Sequence, residues 1–231
     1  MVRSARSLLP VPFVALALSL TTPIAASDDR QVSFVNDIVP VLTKAGCNAG
    51  SCHAKAGGGQ NGFQLSVLGF DPPEDYERLV KEGHGRRLFP SDPQRSLLLQ
   101  KATGAVPHGG GVRLPVGSEG YELLRRWIAE GARFSTGTEP ELVSISVKPD
   151  RGIMAMNSEQ QLQTIATYSD GTTRDVTEFT LFESNDAGMA EVNESGLVQV
   201  LDLPGRVAVM VRFQAIGAVF TAAVPLGAPV E

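Results

Sequence analysis

The most reactive side chains in the first half of the chain lie in the segment Cys47-Asn48-Ala49-Gly50-Ser51-Cys52-His53. A histidine directly after a cysteine, with a second cysteine upstream, is typical of covalent haem attachment. In such a site the two thiols add to the vinyl groups of the porphyrin, and the adjacent imidazole reaches the iron. The segment therefore predicts one covalent haem c attached to Cys47 and Cys52, with His53 as an iron ligand.

The spacing of the cysteines departs from the usual motif, because four residues rather than two separate them. On a regular helix, a step of five residues turns the second thiol roughly 140° away from the first. Both thiols can then face one porphyrin only if the segment bulges. Asn, Ala, Gly and Ser between the cysteines permit such a bulge.

Three other interpretations of the two thiols stay open on spacing alone. A Cys47–Cys52 disulfide is natural in an oxidising compartment. A zinc or other metal site needs more ligands than two thiols and the nearby histidines obviously supply. A redox-active thiol pair usually has the tighter two-residue spacing.

Short helices joined by long loops are predicted around this segment. Ser33 is the expected N-cap of a first helix that runs toward Lys44, and Pro40 is expected to kink it. Three further helices each begin near a polar cap and end at a glycine, over Asp71 to Gly83, Ser91 to Gly104 and Ser118 to Gly131.

The stretch from Phe34 to Arg133 resembles the planctomycete-type cytochrome c domain. The motifs that carry the resemblance are Ile38-Val39-Pro40-Val41-Leu42, Cys52-His53, Asn61-Gly62-Phe63-Gln64-Leu65-Ser66, Gly69-Phe70-Asp71-Pro72, Asp75-Tyr76, Gly85-Arg86-Arg87, Ser96-Leu97-Leu98-Leu99-Gln100-Lys101, Leu124-Arg125-Arg126-Trp127-Ile128 and Gly131-Ala132. The resemblance implies that the first and last helices pack together beside the haem. It also implies that Cys47 and Cys52 carry the haem and that His53 is its proximal ligand.

The second axial ligand departs from that family pattern. Many cytochrome c domains place a methionine before the last helix, but no methionine lies between Cys47 and Leu142. His108, in the glycine-rich segment before the last helix, is the candidate in its place, because imidazole is also an iron ligand. His84 is a weaker candidate, and an open position on the iron is the remaining alternative.

Arg86 and Arg87 are adjacent cations that could pair with the haem propionates, since a guanidinium binds a carboxylate through two parallel hydrogen bonds. Adjacent arginines are more commonly a solvated face, so both interpretations are kept.

The second half of the chain alternates apolar and polar residues over short runs. The predicted strands cover 142–147, 162–168, 180–183, 190–192, 197–200, 206–213 and 218–224, and Asp170-Gly171 predicts a hairpin turn. Many short strands with regular turns predict a two-sheet sandwich.

This half also resembles the bacterial Ig-like domain of group 2. The motifs are Ile145-Ser146-Val147-Lys148-Pro149, Gln161-Leu162-Gln163, Tyr168-Ser169-Asp170-Gly171-Thr172, Asp175-Val176-Thr177, Ser184-Asn185-Asp186, Val192-Asn193 and Gly196-Leu197-Val198. The resemblance implies a spacer or adhesion module with a surface or glycan partner. Both halves together resemble the N-terminal part of larger exported proteins of planctomycete-type bacteria.

Composition and the N-terminus limit the possible classes. The 231 residues are 42% hydrophobic with a net charge of -5, which predicts a globular chain without a basic face for nucleic acid. Arg3 and Arg6 precede the short apolar run from Leu8 to Leu20 and a stretch of small residues that ends at Ser27. This pattern is typical of a secretory signal peptide, and no second long apolar stretch follows it. We therefore expect export to the periplasm or cell surface, without an integral membrane span after removal of the signal.

The predicted organisation is a signal peptide over 1–27, a cytochrome c-like haem domain over 28–135, a linker over 136–140 and an Ig-like domain over 141–231. The fold class expected from this is two domains, one all-α and cytochrome c-like, the other an all-β Ig-like sandwich.

The function expected is that of a non-enzymatic electron carrier with an unknown redox partner protein, joined to an adhesion module. The alternative is a haem-free extracytoplasmic binding or adhesion protein with a Cys47–Cys52 disulfide. A haem peroxidase with an open iron position is the third interpretation.

Overall fold

Four short α-helices lie in the first half of the chain: α1 (Val39–Lys44), α2 (Pro72–Tyr76), α3 (Leu97–Ala102) and α4 (Glu119–Ala129). The structure is a computed structural model that describes residues 30–50, 52–135 and 137–227. The signal peptide predicted over residues 1–27 lies outside the described residues.

Polar caps begin three of the four predicted helical segments, whereas the helix predicted from Ser91 begins only at Leu97, after a separate 3-10 turn and without a side-chain cap. Each cap accepts a hydrogen bond from a backbone N–H three residues later: Ser33 from Asn36 at 3.2 Å, Asp71 from Glu74 at 3.2 Å and Ser118 from Tyr121 at 3.3 Å. These three predicted caps are confirmed.

Pro40 marks a change of helix type. The segment Phe34–Ile38 is a π-helical turn, and α1 follows it directly with Pro40 in its first turn. Proline has no N–H to donate to the preceding turn, so a change of winding at this position leaves no donor unpaired. The structure changes helix type next to Pro40, and the predicted kink of the helix axis stays a prediction.

An aromatic cluster forms the core of the first half. Phe34 is fully buried, and its ring centre lies 5.4 Å from that of Trp127 and 5.3 Å from that of Tyr76. The indole N–H of Trp127 donates to the Arg133 carbonyl at 2.9 Å. The first helical turn and α4 are thereby packed together, and the loops that carry the histidines and cysteines extend from this base.

Ten strands follow, and they form three sheets. The strands are β1 (Leu142–Lys148), β2 (Arg151–Ile153), β3 (Glu159–Gln161), β4 (Gln163–Tyr168), β5 (Thr173–Asp175), β6 (Leu181–Ser184), β7 (Ala190–Val192), β8 (Leu197–Val200), β9 (Gly205–Phe213) and β10 (Ile216–Val224). The strand orders are β1-β4-β5, β2-β10-β9-β6 and β3-β8-β7. All neighbouring pairs are antiparallel except β2 with β10.

The Asp170-Gly171 hairpin is confirmed. Strands β4 and β5 pair antiparallel across it, and Gly171 takes φ +81°, which a residue with a side chain rarely adopts. The Asp170 carboxylate accepts the Thr172 N–H at 2.9 Å and closes the turn.

The predicted fold class, an all-α cytochrome c-like domain beside an all-β Ig-like sandwich, is wrong. The described residues of the first half form four short α-helices, together with 3-10 and π turns and the isolated bridges Ala54–Leu65 and Gln60–Phe63. The strands make three sheets rather than two. The described chain is therefore mixed and mostly β, because frequent Gly and Pro stop each helix after a few residues. In the same described part, no helix is long and apolar enough to cross a membrane.

The two halves are in direct contact. From Gln31 onward the described residues belong to one compact unit. Arg174 of β5 donates to the carboxylate of Asp37 at 2.9 Å, and Gln214 donates to the side chain of Asn36 at 3.1 Å. Phe179 packs against both the aromatic core of the first half and the sheet core. The predicted linker over 136–140 stays a prediction, but the flanking halves share buried contacts.

The Asp37–Arg174 pair gives a stability prediction. The Asp37 side chain is fully buried, while Arg174 keeps 28% exposure. We expect Arg174→Met to lower the free energy of unfolding by about 2 kcal/mol, less than for a fully buried pair because water reaches Arg174. Urea unfolding followed by circular dichroism measures this change.

A double-mutant cycle separates the energy of the Asp37–Arg174 interaction from the other contributions of the Arg174 side chain to stability. In an Asp37→Asn background, Arg174→Met should cost much less, since no buried charge is left without its partner. Arg151→Met, which removes an ion pair that is exposed at both ends, is the control and should change stability by less than about 0.5 kcal/mol. An equal cost of Arg174→Met in both backgrounds would contradict the buried-pair interpretation.

Candidate functional site

A cleft of about 760 Å³ opens in the first half of the chain. The residues that the sequence singled out all line it: Cys47, Cys52, His53, Arg86, Arg87 and His108. His84, the weaker candidate for the second axial position, is exposed, has φ +59° and is not part of the lining. The cleft is within the size range of ordinary cofactor sites.

The end of α1 positions the two thiols. The Cys47 N–H donates to the Leu42 carbonyl at 2.9 Å, so Cys47 continues directly from the last turn of the helix. The His53 N–H then donates to the Cys47 carbonyl at 3.0 Å, and Gly50 takes φ +51° in between. The five-residue step between the cysteines is therefore a closed loop rather than a helix, as the predicted bulge requires.

Both thiols are partly buried, and Cys47 and Cys52 do not form a disulfide in this structure. Burial raises the pKa of the Cys47 thiol to about 11, with a smaller contribution from the neighbouring Cys52. Arg113 acts in the opposite direction but does not compensate. At neutral pH the Cys47 sulfur is consequently a protonated thiol.

A backbone carbonyl holds the His53 ring. Its Nδ1 lies 3.3 Å from the Phe63 carbonyl oxygen, and the ring of Phe63 packs at 4.7 Å from the imidazole. Burial is the largest cause that lowers the pKa of His53, and His108 and Arg87 lower it further. His53 is therefore neutral near pH 7. Since a carbonyl oxygen only accepts, Nδ1 carries the proton, and the lone pair of Nε2 is available to a ligand.

His108 repeats this arrangement on the other side of the cleft. Its Nδ1 lies 3.0 Å from the Gly111 carbonyl oxygen, which again leaves the Nε2 lone pair available. The ring centres of His53 and His108 are 6.3 Å apart, and the ring planes differ by only 8°. Two half-buried imidazoles thus lie stacked and nearly parallel at the cleft.

Arg87 and Arg86 differ in their surroundings. Arg87 is 7% exposed, lies 4.4 Å above the ring of Phe63 and donates to the carbonyls of Arg78 and Glu82. The solvated-face interpretation is therefore wrong for Arg87, whose guanidinium is held behind the aromatic ring that supports His53. Arg86 is exposed at the cleft, which agrees with a solvated position.

Lys101, Arg113 and Phe63 also line the cleft, and sequence reasoning gave them no role there. With Arg86 and Arg87, the lining contains four cationic side chains and no carboxylate. Phe63 and Lys101 lie in sequence motifs given above, so the sequence contained a signal for both residues. Nothing in the local sequence pattern marks Arg113, which reaches the cleft only through the fold.

The arrangement suits a metal whose ligands come mostly from a cofactor rather than from the protein. Among the described residues, no group of three or more His, Cys, Asp or Glu side chains is placed to hold a metal ion. The cleft instead offers the two stacked imidazoles, whose ring centres are 6.3 Å apart, and the two thiols as groups that could hold a cofactor.

Comparison with known proteins identifies a short shared segment. No family model matches the chain. Ice-binding protein 1 of Shewanella frigidimarina (strain NCIMB 400) is 40% identical over 68 residues, which make up 29% of this chain and 8% of that protein. The chain therefore spans only a small part of the length of this curated relative.

Solved structures give weak likenesses. Surface layer protein SbsC, domains 4-9, matches with a TM-score of 0.34 and 17% identity over 40% of this chain and 15% of that chain. The endo-beta-1,4-mannanase from Thermotoga petrophila matches with a TM-score of 0.22 and 17% identity over 52% of this chain and 27% of that chain. At these TM-scores neither likeness carries an argument about fold or activity.

The relative described above is named as an ice-binding protein rather than as a cytochrome, and among the described residues no group of three or more His, Cys, Asp or Glu side chains could hold a metal ion. The prediction that the chain classifies with the cytochromes is therefore wrong. The comparisons do not bear on which group the cleft holds, so the haem c prediction stays a prediction that depends on the geometry of the cleft.

Proposed function

We propose that this chain is an extracytoplasmic binding protein in which the sheets serve as a spacer or adhesion part and the cleft holds one covalent haem c. The name of the relative, an ice-binding protein, supports the binding class. The basic and apolar start of the chain supports export. The proposal assigns no reaction in which a bond of a substrate is made or broken.

The observation that carries the haem proposal is the pair of parallel imidazoles 6.3 Å apart, with both Nδ1 atoms held by backbone carbonyls. A metal-ligating histidine commonly donates its second ring N–H to such an acceptor, which fixes the ring and the tautomer. Two rings prepared in this way would hold the iron of a haem through their Nε2 atoms.

The thiols support covalent attachment. Cys47 and Cys52 line the same cleft as the imidazoles and are both free, so each can add across a vinyl group. In that addition the thiol hydrogen and the sulfur end on the two vinyl carbons, so no oxidant or reductant is needed.

A haem held in this way supplies one-electron oxidation and reduction of its iron. The residues of the chain would bind and orient it: His53 and His108 would hold the iron, and Arg86 would offer its guanidinium to a carboxylate at the cleft. Because two imidazoles would hold the iron, the peroxidase interpretation, which needs an open position, has less support.

A haem-free adhesion protein is the second candidate, and the 68-residue segment shared with Ice-binding protein 1 favours it. In this candidate Cys47 and Cys52 form a disulfide that pins the loop between α1 and His53. It differs from the first in one covalent property, since the sulfurs are joined to each other rather than to a macrocycle.

The direct test is expression with a cytochrome c maturation system, followed by a pyridine haemochrome spectrum and an intact mass. We expect a coloured protein whose mass is raised by one haem, and loss of the covalent adduct in a Cys47→Ser, Cys52→Ser double variant. His53→Ala should give much less coloured protein, because the proximal ligand is missing.

His84→Ala is the matched control, since His84 is a histidine of the same half that lies outside the cleft lining. It should load haem as the unchanged chain does. A colourless protein of unmodified mass from the unchanged sequence would refute the haem proposal and favour the adhesion candidate.

Replacement of the second axial ligand gives a further prediction. His108→Met should raise the midpoint potential of the iron in a spectroelectrochemical titration, because thioether ligation favours the reduced iron. His84→Met is the control and should leave the potential unchanged. If His108→Met also leaves it unchanged, His108 is not a ligand.

The thiol state of the haem-free chain is tested by alkylation. Because burial raises the pKa of Cys47 to about 11, the rate of its reaction with iodoacetamide should rise about tenfold per pH unit from pH 7 to pH 10. Peptide mapping by mass spectrometry measures this rate, and the chain unfolded in urea, where burial is lost, should react faster at pH 7.5. Absence of alkylation at every pH until a reductant is added would instead indicate the disulfide.

A further inference from the structure

We propose that Lys101 and Arg113 are positioning residues that clamp the segment 107–111 and thereby hold the His108 imidazole parallel to that of His53. The geometric part of this inference is independent of what fills the cleft. Its spectroscopic part depends on the haem proposal above.

The segment that carries His108 has little stiffness of its own. Three consecutive glycines, Gly109 to Gly111, follow His108, and Gly111 takes φ +71°. Glycine loses more conformational freedom on ordering than other residues, so such a segment needs external contacts to keep one conformation. Within it, the Gly111 N–H donates to the His108 carbonyl at 3.0 Å, which closes a turn but does not anchor it.

Two cationic side chains supply the anchors. The Lys101 ammonium group, from the last turn of α3, donates to the Pro107 carbonyl at 2.5 Å. The Nε of Arg113 donates to the Gly110 carbonyl at 2.7 Å. One anchor therefore lies directly before His108 and the other lies two residues after it.

The backbone connects both anchors to the same helix end. The N–H groups of Arg113 and Leu114 donate to the Ala102 carbonyl at 2.7 and 3.0 Å, and the Val106 N–H donates to the Gln100 carbonyl at 3.2 Å. Both ends of the histidine segment are thus fixed to the C-terminal turn of α3. The two side-chain clamps fix the middle, where the backbone offers no such pairing.

The ring of His108 lies close to the clamped backbone. A Cβ added to Gly110 would come 2.9 Å from Cε1 of His108, so the glycine is required for this ring position. The Arg113 bond to the Gly110 carbonyl therefore fixes the peptide against which the ring lies. The Nδ1 contact with Gly111 then sets the rotation of the ring.

Charge pairing does not explain these two cations. Neither Lys101 nor Arg113 takes part in an ion pair among the described residues, and the cleft lining contains no carboxylate. Their contacts to the segment are hydrogen bonds to main-chain carbonyls. A charged donor makes such bonds stronger than a neutral one.

The first arm of the test uses the haem-free full chain and amide hydrogen exchange read by mass spectrometry. We expect exchange over residues 106–113 to be about tenfold faster in Lys101→Met and in Arg113→Met, and faster still in the double variant. Lys101→Arg and Arg113→Lys, which keep a charged donor, should restore most of the protection. Arg125→Met, on the exposed side of α4, is the control, and exchange of α4 should stay unchanged in every variant.

The second arm uses the haem-loaded chain and its absorption spectrum. We expect the Met variants to lose part of the six-coordinate low-spin signal and the conservative variants to regain it. Unchanged exchange in the double variant would overturn the inference whether or not haem binds. Faster exchange in a chain that never takes haem would support the clamp and refute the proposed function. Faster exchange with an unchanged spectrum would overturn the role of the clamp in positioning His108.

Discussion

The bond on which the cleft depends is the one that each imidazole makes with a main-chain carbonyl. The oxygens of Phe63 and Gly111 can only accept, so each Nδ1 must carry a proton, and in the neutral imidazole the lone pair then lies on Nε2. In the other neutral tautomer a lone pair would face the carbonyl, and the N–H of Nε2 would face the cleft. The cleft would then hold one hydrogen-bond donor in place of a metal ligand. The chemistry of the cleft therefore depends on two backbone carbonyl oxygens that no sequence motif identifies.

The sheets take part in the placement of these groups. Lys44, the last residue of α1, donates its ammonium hydrogens to the carbonyls of Thr180 and Glu194, and Cys47 follows three residues later. Burial lowers the pKa of Lys44, which Glu194 and Glu178 partly offset by raising it. The helix end that presents the first thiol is thus fixed by the second half of the chain. A purely separable spacer would not make these contacts.

Local sequence rules predicted the local structure, and they failed where distant parts of the chain decide. The caps at Ser33, Asp71 and Ser118 depend on side chains a few residues away, as does the Asp170-Gly171 turn, and all of these are confirmed. Strand β2 was missed because its three residues show no alternation and its partner, β10, lies far along the chain. The fold class was wrong for the same reason, since helical periodicity in short stretches says nothing about whether the halves share a core.

The same distinction between local and distant determinants applies to the prediction of the site. Cys47, Cys52, His53 and His108 were identified from residue type, and all four line one cleft. The parallel arrangement of the rings was not predictable, because it requires carbonyls from two other loops.

The charges around the cleft show why residue type alone did not separate Arg86 from Arg87. The chain carries a net charge of -5, yet four cations and no carboxylate line the cleft. Arg87, Lys101 and Arg113 already donate hydrogen bonds to main-chain carbonyls, whereas the guanidinium of Arg86 makes no hydrogen bond with any described residue. An anionic group in the cleft would therefore have one cation free to pair with it directly, Arg86. The other three cations would add positive electrostatic potential in the cleft, while their hydrogen bonds hold the surrounding loops in place. The same positive charges both order the loops and favour an acidic ligand, so a neutral replacement at any of the three would weaken two functions at once.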